Sequence, residues 1–232
     1  MRTFLSLFTL CVISINISQA QEQSQPETLI ENSDDRSFSL DYYFGVGLLY
    51  TDALDINPFL SESNVPTVRR FPVELSVGMT GSFGKNTIDF EFGFYNQERD
   101  DNGFGHKMNS TQLTLRYLRR VVKFENNNQL FVGSGLMLGT KDLEFFDEND
   151  SVDLNDPGSF GDVAKLDNSQ FYISPSLGYS IHSSDDNEEY LRFQLSYELN
   201  LTSNDWESDY ARVNNSFEET GNRWRLQVIF PF

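Results

Sequence analysis

The sequence is poor in several residue types, and each shortage removes a class of function. It has one cysteine in 232 residues, Cys11, which lies in the leading apolar segment. Without cysteine, the remainder can form no disulfide and no thiolate metal site. Histidine occurs twice, as His106 and His182, which leaves little for a metal centre built on imidazole. Lys and Arg together number 17 against 35 Asp and Glu, a net charge of -18. That balance argues against nucleic acid and other polyanions as partners. No run of about 18 apolar residues follows the N-terminus, so no transmembrane helix is available.

Aromatic residues are plentiful: 21 Phe and 10 Tyr in a chain whose mean hydropathy is -0.44. Large aromatics in a hydrophilic chain point to strands that alternate between apolar and polar surroundings. The first residues form a separate pattern. Arg2 gives a positive start, Phe4 to Ile17 an apolar core too short for a membrane anchor, and Ser18-Gln19-Ala20 a small-residue cleavage site. Residues 1–20 therefore read as a secretory signal peptide, with the mature start near Gln21. Leu10 stands before Cys11 where a lipoprotein signal needs a small residue. Residues 21–36 are polar and acidic and read as a flexible lead-in.

From Ser37 onward, period two dominates. The first strand, Ser37 to Tyr50, carries Phe38, Leu40, Tyr42, Phe44, Val46, Leu48 and Tyr50 on one face. The second starts at Phe71 and ends at Phe83, and the third places Ile88, Phe90, Phe92 and Phe94 opposite Thr87, Asp89, Glu91 and Gly93. Gly84-Lys85-Asn86 between them reads as a tight turn. A polar loop is expected over Gln97 to Asn109. Strand four runs through Leu113, Leu115 and Tyr117, and its end at Arg119-Arg120-Val121-Val122 breaks the alternation. Strand five, from Leu130, has Phe131 and Met137 in the polar register beside Gly133, Gly135 and Gly139. The longest loop is expected from Thr140 to Ser169. Strands six (Phe171 to Ile181) and seven (Leu191 to Leu201) alternate cleanly, with the polar turn His182 to Glu189 between them. The loop Thr202 to Gly221 leads to the last strand, where Trp224, Leu226, Val228, Phe230 and Phe232 oppose Arg223, Arg225 and Gln227. Pro231 lacks an N–H, so the ladder is expected to finish near Phe230.

Eight strands of about ten to thirteen residues are long enough to cross a membrane when tilted. Long and short connections alternate, which is the order of an up-and-down antiparallel barrel with both termini at the short-turn end. The fold class expected is an all-β, eight-stranded antiparallel up-and-down transmembrane β-barrel over residues 37–232. The apolar face is assigned outward for two reasons. The other face mixes glycine and serine with Asp41, Glu74, Asp89, Glu91, Arg116, Arg192, Glu198, Arg223 and Arg225, which suits a narrow interior holding paired charges. The apolar face also turns aromatic near strand ends, as membrane girdles do.

An alternating strand closing on Phe232, after a signal peptide and seven similar strands, resembles the small eight-stranded outer-membrane barrels of Gram-negative bacteria: the membrane domain of OmpA, OmpX and OmpW. The likeness covers the chain from about Ser37 and is architectural, with no peptidoglycan-binding domain expected after the barrel. It implies an outer-membrane location in the cell envelope, lipid and lipopolysaccharide as surroundings, recognition of the last strand by the barrel-insertion machinery, and a monomer. The function expected is non-enzymatic, structural or in surface interaction, with acidic outer loops and a plugged lumen. Two alternatives are a narrow porin-like channel for small or apolar molecules and a lipid A-modifying enzyme.

Three groups are candidate sites on residue type. His182 and Ser184, with Glu188 or Glu189, form a His-x-Ser that resembles a lipid A deacylase's nucleophile and base. His106, with Asp100, Asp101 and Ser110, occupies a place where an acyltransferase barrel would hold such groups. The acidic run Asp147 to Asp156 could bind Ca²⁺, or bridge through divalent ions to lipopolysaccharide, but lacks the spacing of a calcium loop. A polar turn, a loop and a solvated acidic surface account for them more simply. No catalytic, cofactor-binding or metal residue and no cofactor is therefore assigned.

Overall fold

The computed structural model describes residues 38–101, 103–147, 164–183, 188–209, 212–214 and 217–232. The segments expected to be a signal peptide and a lead-in, residues 1–36, lie outside the described residues, as does most of the acidic run, 148–156.

Eight strands close into a ring: β1 (Phe38–Thr51), β2 (Val73–Phe83), β3 (Asn86–Asp101), β4 (Phe104–Lys123), β5 (Gln129–Asp147), β6 (Ala164–His182), β7 (Glu189–Asn200) and β10 (Arg223–Pro231). Every neighbouring pair is antiparallel, and β1 closes the ring against β10 with Phe44 opposite Phe230 and Leu48 opposite Leu226. Closure leaves no barrel strand with an unpaired edge through the middle of the sheet. A short helix α1 (Asn57–Glu62) sits between β1 and β2, and two-residue strands β8 (Asn204–Asp205) and β9 (Glu218–Glu219) pair within the last loop.

The expected register holds. Phe38, Leu40, Tyr42, Phe44 and Leu48 of β1, Phe90, Phe92 and Phe94 of β3, and Trp224, Leu226 and Phe230 of β10 point outward and are exposed. The other face is buried: Glu74, Asp89, Glu91, Arg116, Arg192, Glu198, Arg223 and Arg225 are none more than 2 % exposed. Asp41 is the exception. It has the inward parity but is exposed at the short-turn end of β1.

Several boundaries differ from expectation. The loop expected over Gln97 to Asn109 is a paired ladder: Gln97 lies opposite Met108 and Asp101 opposite Phe104, around a tight turn where Gly103 takes φ 88°. The loop expected from Thr140 to Ser169 narrows in the same way, with Thr140 opposite Ser169 and Phe145 opposite Ala164. Polar outward residues hid these extensions, because above the apolar band both strand faces lose the greasy alternation that marks a strand. The broken end of strand four is a bulge between Arg120 and Val122. The ladder does not stop at Phe230. Pro231 lies opposite Tyr43, and Phe232 donates its N–H to Tyr42 O at 2.9 Å. Proline's missing donor costs nothing where its neighbour supplies the bond.

Candidate functional site

The interior is built from one face of every strand, so residues distant in sequence meet across it. Its lower and middle parts hold an ion-pair network. Arg192 donates to Asp89 at 3.1 Å and to Glu189 at 2.6 Å. Asp89 also accepts from Thr80 Oγ1 at 2.8 Å and from Arg116 at 3.4 Å. Glu91 accepts from Tyr43 Oη at 3.1 Å and Gln227 Nε2 at 2.7 Å, and pairs with Arg225 at 2.6 Å. Glu74 pairs with Arg225 and accepts from Gln112. Arg223 donates to Glu198 Oε2 at 2.8 Å and to Gln112 Oε1 at 2.9 Å, and lies over the Tyr172 ring at 4.5 Å. Four arginines thus meet Glu74, Asp89, Glu91 and Glu198, so the network is close to neutral. Buried charges persist when paired in this way.

Small residues make room for it. Gly135 lies against Arg116, and Gly78 against the Tyr43 ring, where a Cβ would come within 2.4 Å of Cζ. Phe131 and Met137, in the polar register as expected, are buried, and Arg192 sits 5.8 Å from the Phe131 ring centroid.

The long-loop end is closed by a second, apolar assembly. Leu49, Tyr95, Met108 and Leu143 on the inner strand faces pack with Leu54, Ile56, Leu60 and Val68 of the β1–β2 segment and with Trp206 of the last loop. Asn57 fixes this segment at both ends: Val68 N–H donates to its Oδ1 at 2.8 Å and its Nδ2 donates to Val68 O at 3.1 Å. The cap is stitched to the last loop through Asp52 and Asp55, whose carboxylates accept from the Asn222 and Thr220 N–H groups at 2.8 and 2.9 Å. Between cap and network, Lys141 Nζ stands 3.8 Å from Glu219, which also accepts from Trp206 Nε1 at 3.3 Å. Outward residues at this level are polar: Thr111 and Thr140 share a hydrogen bond at 2.9 Å, so Lys141 and Glu219 lie beyond the apolar band. Burial pulls the Lys141 ammonium down to about 8, with Glu219 opposing the shift, and burial pushes the Glu219 carboxyl up.

The sequence-derived trios do not assemble. His182 shares its Nε2 with Gln129 at 3.2 Å and its Nδ1 with Ser180 Oγ at 3.4 Å, while Glu189 is held by Arg192. Ser184 lies outside the described residues. His106 is buried on the inner face of β4, its pKa lowered by burial and by Arg99, but Asp100 and Asp101 are exposed at the hairpin tip. Ser110 stands four residues further along the strand, about 13 Å away, and donates to Thr140 O at 3.0 Å. Among the described residues, no group of three or more His, Cys, Asp or Glu could hold a metal.

Sequence reasoning missed the cap. Its signal was present as Leu54, Ile56, Leu60, Val65 and Val68 between the first two expected strands, with Pro58 after Asn57 where a helix can start. Inward Tyr43, Tyr95 and Tyr172 were also missed, because an aromatic at an inward position interrupts no apolar stripe.

No protein-family model matches the sequence, and no curated protein matches it either. Solved structures do match in fold. A major outer membrane protein from Thermus thermophilus superposes with a TM-score of 0.50 at 12% identity, over 84% of this chain and 100% of that one. Neisserial surface protein A gives a TM-score of 0.46 at 10% identity, over 85% and 100%. Ail of Yersinia pestis, solved with the heparin analogue sucrose octasulfate, gives 0.45 at 11% identity, over 84% and 97%. At these identities the likeness is one of fold alone.

Proposed function

We propose that this chain is an integral outer-membrane barrel with a sealed lumen, serving envelope structure or surface contact. The observation that carries this reading is the set of ion pairs and hydrogen bonds that bridge opposite walls of the barrel, such as Arg192 with Asp89 and Arg223 with Gln112. An eight-stranded interior is just wide enough for its own side chains, and here arginines and carboxylates occupy it from wall to wall.

The membrane part rests on the outward surface. From Phe38 to Tyr50 that surface covers about 40 Å along the strand, or about 30 Å upright at the usual tilt, which suits a bilayer. Aromatic pairs border its upper rim, with Tyr50 stacked on Phe71 at 4.8 Å and Tyr197 against Trp224 at 4.6 Å. Exposed apolar surface on this scale has no place in water. The reading includes export through residues 1–20, assembly by the barrel-insertion machinery, a monomer in lipid, and lipopolysaccharide beside acidic outer loops.

Single-channel recording on the full chain in a planar bilayer tests the seal. The expected outcome is insertion without a steady conductance step; a steady, large conductance favours the channel alternative and overturns the sealed lumen. Mass spectrometry of lipid A from cells with and without the gene tests the enzyme alternative. Identical lipid A is expected, and a lost acyl chain would overturn the non-enzymatic reading.

A further inference from the structure

The charge on this barrel is unevenly distributed. Among the described residues, the long-loop end carries Asp52, Asp55, Glu62, Glu98, Asp100 and further acids. At the short-turn end, one sector over β2 to β5 is cationic. It holds Lys85 in the β2–β3 turn, and Arg119, Arg120 and Lys123 at the end of β4, against the single acid Glu125. In a chain with twice as many acids as bases, this local excess needs its own account.

The backbone brings these residues together. Asn86, next to Lys85, lies opposite Arg119, and Arg120 N–H donates to Lys85 O at 2.8 Å. The bulge between Arg120 and Val122 changes the aim of the following side chains, leaving both Val121 and Val122 exposed. Arg119 has the outward parity, one step beyond the outward Tyr117, and its partner on β5 is the outward Val132. Arg120 turns to Gln129 Oε1 at 3.4 Å. Among the described residues no carboxylate pairs with Lys85, Arg119 or Lys123. Directly above lie Tyr117, whose hydroxyl donates to Asn86 Oδ1 at 2.6 Å, and the exposed Ile88; below lies the exposed Phe124.

Lys85 and Arg119 therefore stand without a carboxylate partner at the foot of a lipid-facing apolar wall. Long basic side chains in that position keep their stems on the apolar surface and extend the charge to the headgroup level. We propose that Lys85 and Arg119 form a binding site for the phosphates of anionic glycerophospholipids in the leaflet at the short-turn end. The proposal rests on the membrane reading above. The acyl chains lie on Ile88, Tyr117 and Val132, and the phosphate lies within reach of both cations. Opposite charge and an adjoining apolar wall are both needed, and in this sector the described residues combine them with Glu125 as the single acid.

Spin-labelled lipids test it, with the full chain in vesicles of phosphatidylcholine and phosphatidylglycerol. The quantity read is the association of labelled phosphatidylglycerol relative to labelled phosphatidylcholine. Each cation at headgroup level raises association by up to about fivefold. The native chain is expected to favour phosphatidylglycerol, and Lys85→Gln/Arg119→Gln to bring the ratio near one. Arg69→Gln/Arg70→Gln, at the acidic end, is expected to leave the ratio unchanged, and inorganic phosphate to compete no better than chloride at equal ionic strength. Should the double variant fold poorly, Arg119→Gln alone is expected to lower the ratio by a part of the full effect. An inserted native barrel without selectivity, or equal loss in the two multiple variants, overturns the site while leaving the membrane reading intact. Failure of the native chain to insert overturns both.

Discussion

Arg192 on β7 reaches Asp89 on β3 through Nη1, at 3.2 and 3.1 Å to the two carboxylate oxygens. These strands stand four places apart in either direction round the ring, so the bond crosses the full width of the barrel. It links residues that 103 positions separate in sequence. Such a bond fixes the barrel's cross-section as well as filling it. Removing Asp89 leaves a buried guanidinium short of a partner, and breaking a buried pair costs about 3–5 kcal/mol. Asp89→Leu is expected to lose on that order in urea unfolding from micelles, and Asp89→Leu/Arg192→Met to lose distinctly less. Equal losses would show that the pair does not act as a unit.

The sequence carried the alternation that decides this cross-section, because a strand's parity alone assigns Asp89 and Arg192 to the same face. It could not carry the partner of each. Which arginine meets which carboxylate depends on the stagger of strands round the ring, and on where Gly78 and Gly135 leave space. Asp41 illustrates the limit: its parity is inward, yet it stands at the barrel's exposed end. The cap was hidden for a different reason. Leu54, Ile56, Leu60 and Trp206 follow no regular period, since they come together by loop folding, and periodicity is the signal that sequence reading relies on. The extension of β3 and β4 past Tyr95 was obscured where polar residues occupy the outward face, so that the hydrophobic pattern ended before the hydrogen bonds did.

Neighbouring residues on β7 test the register. Leu195 is 40% exposed on the outward face, whereas Ser196 is buried and shares a hydrogen bond with Ser176 Oγ at 3.0 Å. Leu195→Arg places a charge near mid-bilayer and is expected to cost about 2–4 kcal/mol of folding stability in lipid. Ser196→Arg adds an unpaired cation and excess volume to a filled interior. Its penalty is expected to persist in detergent micelles, where that of Leu195→Arg is relieved. Unfolding measured in both media separates the two, and equal behaviour would undermine the assignment of faces.

Lys141 gives the cap a dependence on pH. Its folded pKa is about 8, lowered from 10.5 chiefly by burial, with Glu219 opposing and Arg223 adding to the shift. Between these two values the unfolded chain holds a proton that the folded chain has released, so stability rises with pH across that window. The unfolding midpoint, followed from about pH 7.5 to about pH 10.5 to span that window, is expected to rise in the native chain relative to Lys141→Met. Parallel pH profiles for the two proteins would remove Lys141 as the cause.

Trp206 separates the two closures of the barrel. It is the largest fully buried side chain, and it joins the cap's apolar core to Glu219 through Nε1. Trp206→Ala removes that anchor, and truncating a buried tryptophan typically costs about 3–5 kcal/mol. The loss falls on the cap, because the contacts of Arg192, Arg225 and Asp89 below it involve none of the cap's residues. Protease is therefore expected to cut the β1–β2 segment faster in the variant, while the ring of eight strands stays folded by circular dichroism. Fluorescence offers an internal reference: Trp224, half exposed on the outward face, is the other tryptophan and remains in the variant. Conductance then decides which closure seals the lumen. With the ion-pair network intact, Trp206→Ala is expected to show no steady current across a planar bilayer. A steady current in this variant, absent from the native chain, would assign the seal to the cap and make the network below it a support for the walls.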